Sequence, residues 1–285
     1  MPNNLTALNP EIWAKEVLLA RNVAQVVAPT VMKPMESEIA EGDTVHFPVY
    51  SAHTVINAAD DGTENTANAR TATTVDLLID KHKAVPVFYS KKELKQMANS
   101  ATFEAAEQAQ MGQDLMNQIE TDLITAMVNG ASGTTYGSQG GGMTDTVIKN
   151  VVEAFDTAKA PAEDRFLLLP VAGKRDLLDI DKFVKINEGG RGAEALLRLS
   201  EVARNFLGEF YGLNVIWTSN ISLNGATPAG YTALAYHGSA VGLALQQDVE
   251  IEIQRRALKL GTDVAADTIY GVKVLRQTEV FKVFM

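Results

Sequence analysis

The chain has 285 residues, 35 acids against 25 bases and a formal charge of −10, a balance that argues against tight nucleic-acid binding, where clustered Lys and Arg must meet phosphates. There is no cysteine, hence no disulfide, thiolate metal site or thiol nucleophile. No apolar run reaches the ~18 residues of a membrane span, and the opening MPNNLTALNPEIW lacks the basic-then-apolar pattern of a secretion signal. A soluble protein made inside the cell is expected, with a length suited to about two domains.

Asn9-Pro10-Glu11 opens a short helix, with proline at the first helical position and an acid in the first turn. Ile12, Trp13, Val17, Leu18 and Val23 give it an apolar side. Such an arm has no core of its own, so it must lie on its own domain or on a neighbouring molecule. A turn at Glu41-Gly42-Asp43 leads into a strand in which Val45, Phe47 and Val49 alternate with His46 and Tyr50. Pro48 places that strand at an edge or bulge. Residues 71–87 predict a second strand, again with a proline, Pro86. The eighteen residues 57–74 between and into these strands contain no Val, Ile, Leu, Met or aromatic residue. A tip with nothing to bury is either a disordered loop or a polar arm ordered by another subunit, and the two strands would carry it about 40–50 Å from the body.

Ser90-Lys91-Lys92-Glu93 is a capping box for a short helix. A long helix follows over 102–129. Met111, Leu115, Ile119, Leu123 and Met127 recur every fourth residue, flanked by Ala105, Ala109, Met116 and Ile124. Gln110, Asp114, Asn117, Gln118 and Thr121 fill the opposite side. At 1.5 Å per residue this is a rod of roughly 40 Å, a spine from which flanking segments hang. Gly130 to Gly142 reads as a flexible connector. Beyond it helices and strands alternate: a helix over 145–159, a buried strand at 166–169, a helix over 171–180, a glycine-bearing loop at 183–193, a helix over 196–210, a strand at 213–217, a strand at 231–236 and a short helix over 239–246. Period-two alternation at 249–253 and 271–284 predicts strands returning to the spine.

No motif compels chemistry. Gly137 to Thr144 has the spacing of a phosphate-binding loop, but Met143 stands where the lysine belongs and a helix, not a strand, precedes it. No G-x-G-x-x-G follows a predicted strand. The four histidines, His46, His53, His82 and His237, show no helical ligand spacing, and His237-Gly-Ser-Ala-Val-Gly242 is not a nucleophile elbow. No catalytic residue, cofactor or metal is expected.

In order along the chain, NPEIWAKEV (9–17), EIAEGDTVHFP (38–48), DKHKAVPVFY (80–89), the spine, FLGEFYGLNVIWTSN (206–220) and YGVKVL (270–275) together resemble a tailed-bacteriophage major capsid protein of the Hong Kong 97-like fold. The resemblance implies an α+β subunit: an N-terminal arm (1–35), an extended β-hairpin E-loop (36–90), a peripheral domain with the spine helix (91–136), an axial domain (137–247) and closing peripheral strands (248–285). It implies a coat protein that assembles as hexamers and pentamers into an icosahedral shell around double-stranded DNA, held without sequence-specific contact and in no membrane. Its location would be the virion capsid, after synthesis in the host bacterial cytoplasm. A portal protein, a separate scaffolding protein and a decoration protein are the implied partners. Inter-subunit contacts are expected from Trp13, Asp60, Asp61, Glu64, Arg70, Lys81, Lys83, Arg191, Arg255 and Arg256. Some members weld subunits through an E-loop lysine; residues 57–74 hold only Arg70 as a base, so no such crosslink is expected. The arm motif begins by residue 10, hence the expectation of a separate scaffold. The competing readings are an encapsulin-like cargo compartment and a soluble α/β enzyme.

Overall fold

The computed structural model describes residues 25–34, 42–57, 69–96, 100–180, 205–224 and 228–285. Strands β1 (Thr44–Tyr50) and β2 (Ala72–Leu78) pair antiparallel from Thr44↔Leu78 to Tyr50↔Ala72 as an isolated two-stranded ribbon. β3 (Lys81–Ser90) then pairs with β10 (Gly261–Val274), which also pairs with β9 (Val241–Arg256), giving a three-stranded sheet of order β3-β10-β9. The single strand expected over 71–87 is therefore two strands. The ribbon closes where the Ile79 N–H donates to the Asp43 carbonyl, and the chain crosses to a new partner. The prolines behave as expected: Pro48 lies in a ribbon with no third strand, and Pro86 lies on the β3 edge.

Helix α1 (Lys91–Gln96) starts at Ser90, whose hydroxyl accepts from Lys92 N–H while Glu93 reaches back to Ser90 N–H, the reciprocal pair of a capping box. Helix α2 (Ser100–Gly130) is the predicted spine. All five residues of its fourfold row are buried, and of the four flanking residues only Ile124 is; Ala105, Ala109 and Met116 face solvent. Met111 and Leu115 pack with Tyr89, Val264 and Ala266 of the three-stranded sheet. Ile119, Leu123, Ile124 and Met127 pack with Leu168, Ile216, Leu234 and Tyr236 of a second, six-stranded sheet. One helix thus serves two sheets, its first half on one and its second half on both, since Leu243, Tyr270 and Val274 of the three-stranded sheet share the second cluster.

The six-stranded sheet has order β4-β11-β8-β5-β7-β6, from β4 (Thr135–Gly137), β5 (Arg165–Leu169), β6 (Phe206–Phe210), β7 (Leu213–Trp217), β8 (Thr232–His237) and β11 (Val280–Phe284). β5 runs parallel to β7 and β4 parallel to β11; the other pairs are antiparallel. Helices α3 (Asp145–Thr157) and α4 (Val171–Leu178) cover one face through Ile148, Val151, Phe155 and Leu177 against Leu167, Leu169, Val215 and Phe281. Leu168 points the other way, toward α2. Burial on both faces explains the unbroken apolar run of β5.

Four expectations are corrected. Phe206–Phe210 is a strand, not the end of a helix over 196–210, whose remainder up to residue 204 lies outside the described residues. Gly208, at φ +128° with a register shift beside it, bulges β6 against β7, a geometry open to glycine and costly in a helix interior. Residues 239–246 form only a 3-10 turn, Gly238–Ala240, before β9 begins. There Val241, Leu243 and Leu245 fit a strand at period two, and cross-strand pairing settles the short apolar run in its favour. The connector after α2 contains β4, pinned by Val283 and its neighbours. Finally, 271–284 is not one strand: its first part is the end of β10, and β11 belongs to the six-stranded sheet, where Val280 packs against α2 as expected of a strand near the spine.

Candidate assembly surfaces

Chain segments that cross between the two sheets meet at one place. The β8–β9 crossing passes Gly238–Ala240, the β10–β11 crossing passes 275–279, and the N–H groups of Leu275 and Arg276 both donate to the Ala240 carbonyl, at 2.7 and 3.2 Å. Residues 25–34 lie over this junction. The Met32 N–H donates to the Gly238 and Val241 carbonyls, and Leu243 N–H returns a bond to the Met32 carbonyl. Glu120, 1% exposed on α2, fastens the same segment: its carboxylate accepts the N–H groups of Val26 (2.9 Å), Val27 (2.7 Å) and Ala28 (3.1 Å). Burial pushes the Glu120 carboxyl above its ordinary value, and the three donors pull it back only in part. A second fastening is Asp122, which accepts from Tyr270 hydroxyl (2.9 Å), Gln118 amide (2.9 Å) and Lys81 ammonium (3.1 Å). Its burial would raise it, but these three partners outweigh that and hold it low.

Two segments of this fold expose large apolar side chains, the β1–β2 ribbon and the β9–β10 hairpin, the latter edged by β3 up to its tip. The β1–β2 ribbon is rooted by Leu77, fully buried beside Ala244, and by the Lys273 ammonium on the Asp76 carbonyl at 2.7 Å. Outward it exposes Val49, Tyr50, Val55 and Ile56. The β9–β10 ribbon starts in the core at Val241 and ends with Ile251, Ile253, Leu258 and Leu260 exposed, Leu258 completely. Large apolar side chains gathered on projecting ribbons are what a contact surface presents before its partner arrives.

Among the expected contact residues, Arg70 stacks on the Tyr50 ring at 4.3 Å and stays on its own ribbon. Lys81 is held by Asp122 within the chain. Lys83 lies half-buried on β3 opposite Thr268. Arg255 and Arg256 sit together at the exposed turn of the β9–β10 ribbon, Arg256 paired with Asp263. Trp13, Asp60, Asp61, Glu64 and Arg191 lie outside the described residues. Sequence reasoning missed Glu120, one step off the apolar row and indistinguishable there from a surface acid. It also passed over Leu258, whose exposure depends on a turn that the pattern does not reveal.

The loop before α3 is built against phosphate. Met143 is buried, its N–H donates to Asp176 at 3.1 Å, and Asp179 and Asp145 line the same hollow. His46 pairs across the ribbon with Asp76 (2.6 Å), His82 with Asp267 (3.0 Å) and His237 with the Ser239 hydroxyl (2.8 Å). Among the described residues no group of His, Asp and Glu is arranged to hold a metal ion, and no helix is long and apolar enough to cross a membrane.

No protein-family model and no curated protein sequence matches the chain. Solved structures do. A structure from Mycobacterium phage Che8 is similar over 96% of both chains at 22% identity and a TM-score of 0.74. The capsid structure of cyanophage P-SCSP1u is similar over 100% of this chain and 95% of its own at 19% identity and TM-score 0.75. The mature capsid of bacteriophage PhiM1 is similar over 97% and 91% at 12% identity and TM-score 0.73. The described residues have the α+β fold of these phage structures.

Proposed function

We propose that this chain is the major capsid protein of a tailed bacteriophage, assembling as hexamers and pentamers into an icosahedral shell around double-stranded DNA. The observation that carries the reading is the end-to-end likeness to phage capsid structures, covering 96–100% of the chain for the first two. The β1–β2 ribbon and the far end of the three-stranded sheet, both exposing apolar side chains, support it: such a subunit is completed by copies of itself, with weak contacts multiplied by symmetry. The net charge of −10 suits a wall that must not adhere to packed DNA. The role is structural, not enzymatic, and its place is the virion. A portal protein, a separate scaffolding protein and a decoration protein are proposed as partners. Negative-stain microscopy of the full chain, expressed alone and with the products of its neighbouring genes, tests the proposal. Closed particles of uniform diameter support it; a stable monomer or dimer under every condition refutes it.

A further inference from the structure

The 3-10 turn Gly238–Ala240 is a hub of the sheet junction. Its Gly238 N–H donates to the Asp164 carbonyl at 2.9 Å, its Gly238 carbonyl accepts from Met32 at 3.1 Å, and its Ala240 carbonyl takes both Leu275 and Arg276. A histidine caps this turn. His237, 6% exposed, accepts the Ser239 N–H on Nδ1 at 3.2 Å, with the Ser239 hydroxyl at 2.8 Å from the same nitrogen. A backbone N–H can only donate, so Nδ1 is bare and the neutral ring carries its proton on Nε2. Nε2 is buried and has no hydrogen-bond partner among the described residues. Beside the ring stands Glu279, 5% exposed, from the β10–β11 crossing. Its Oε1 accepts from Arg276 at 3.2 Å, while Oε2, buried and likewise without a hydrogen bond among the described residues, lies 3.8 Å from Nδ1.

The other charged neighbours are engaged elsewhere or face water. Arg165, opposite His237 on β5, is turned onto Asp156 and the carbonyls of Ala160 and Pro161. Asp164 adjoins Gly238 through its backbone. Lys33, the one charged residue of 25–34, is exposed. Two states of one ring follow. Neutral, it caps the turn and leaves a buried N–H unused, which is costly. With a second proton, taken from solvent onto Nδ1, the ring can no longer accept from Ser239 N–H, and the nearest carboxylate oxygen without a hydrogen bond is Glu279 Oε2. Histidine is the side chain that ordinarily changes charge between about pH 5 and 8.

We propose that His237 is a proton-operated release at the junction of the two sheets: neutral, it caps the turn that carries β8 into β9; protonated, it gives up that cap and pairs with Glu279 of the other crossing. Because Met32, Leu275 and Arg276 are all bonded to this turn, a single proton loosens both crossings and the segment laid over them. The full chain, held below the concentration at which particles form, carries the test, so the result does not depend on the capsid reading. Imidazole nitrogen NMR should find the Nε2–H tautomer of His237 at about pH 8 and an imidazolium at about pH 5. Over the same range the amides of Met32, Ser239, Leu275 and Arg276, corrected for intrinsic exchange, should exchange about tenfold faster, the worth of about one hydrogen bond. His237→Asn keeps an acceptor oxygen in place of Nδ1 and takes no charge, so its amides should show no acceleration. Glu279→Gln removes the charge toward which the ring turns, so the midpoint should move to lower pH. An Nδ1–H tautomer at the alkaline end overturns the proposal, as does parental exchange indifferent to pH. Acceleration that survives His237→Asn, or a midpoint unmoved or raised by Glu279→Gln, overturns it equally. If His237→Asn does not fold, the tautomer of the parent and the Glu279→Gln shift decide.

Discussion

Replacing Glu120 by alanine removes the acceptor of three N–H groups at once, on a carboxylate that is 1% exposed. Each buried donor left without a partner costs about 1–3 kcal/mol. Against that, the buried charge no longer has to be desolvated, and residues 25–34 can detach, which caps the loss. The net expectation is ~2–4 kcal/mol for holding this segment. At ~1.4 kcal/mol per tenfold, amide exchange of Val26, Val27 and Ala28 should accelerate about 30- to 1000-fold, read by hydrogen–deuterium exchange on the peptide covering 25–34. Glu120→Gln keeps one oxygen for two of the donors and should fall between. The pH dependence carries a definite sign. The folded carboxyl lies above its ordinary value, so the folded chain holds a proton the unfolded chain lacks. This group's contribution to stability therefore falls as pH rises from the ordinary glutamate range through the raised value, and the Gln variant should lose that slope. Unchanged exchange in Glu120→Ala, or acceleration spread evenly over β5 as well, would refute the latch.

Asp122→Asn should cost about 1–2 kcal/mol at neutral pH in urea unfolding of the subunit. Because Asp122 is held low, its contribution is present above the ordinary aspartate range and lost as pH falls through its folded value, so variant and parent should converge in acid. Gly271→Ala puts a Cβ onto the Leu78 carbonyl oxygen and within 2.9 Å of a Leu77 methyl; about 1–3 kcal/mol of stability should be lost, with proteolysis of the β1–β2 ribbon accelerated first. Leu258→Ser, at a fully exposed turn residue, should change subunit stability by less than ~0.5 kcal/mol while slowing particle formation in light scattering. Boiling assembled particles in detergent should yield monomers on a gel, since residues 57–74 supply no lysine; a ladder of multimers would contradict the non-covalent shell.

The elements legible in the sequence were those whose burial follows a single period. The fourfold row of α2, the α3 positions Val151 and Phe155, and the unbroken run of β5 each answer to one packing surface or two full ones, whereas Val147 and Val152, expected inward on α3, are only half-buried and Ile148 takes the core position instead. Illegible were elements decided by distant partners. β9 changes from fully buried at Val241 to exposed at Ile253 within one strand, so no single pattern describes it. The break at Ile79 and Asp80 is set by the competition between β1 and β10 for the same stretch of chain. For the contact surfaces, basic pairs such as Arg255-Arg256 were visible as residue types, but the cleft they wall exists only because α1 and the β9–β10 turn, 160 residues apart, end side by side. Glu120 shows the limit most sharply: a carboxylate written next to Ile119 gives no hint of the three amides nearly a hundred residues upstream that it serves.

The β9–β10 ribbon has one end set in the core and the other in solvent, and over sixteen residues of β9 it extends about 50 Å. It is a lever. β9 and β10 connect Leu258 to Val241 and Val274, beside the junction of the two sheets, passing the irregular β9–β10 pairing between Asp267 and Tyr270. Whatever touches the tip is thereby mechanically connected to the centre of its own subunit, and in the closed shell proposed above such levers would share load among its members.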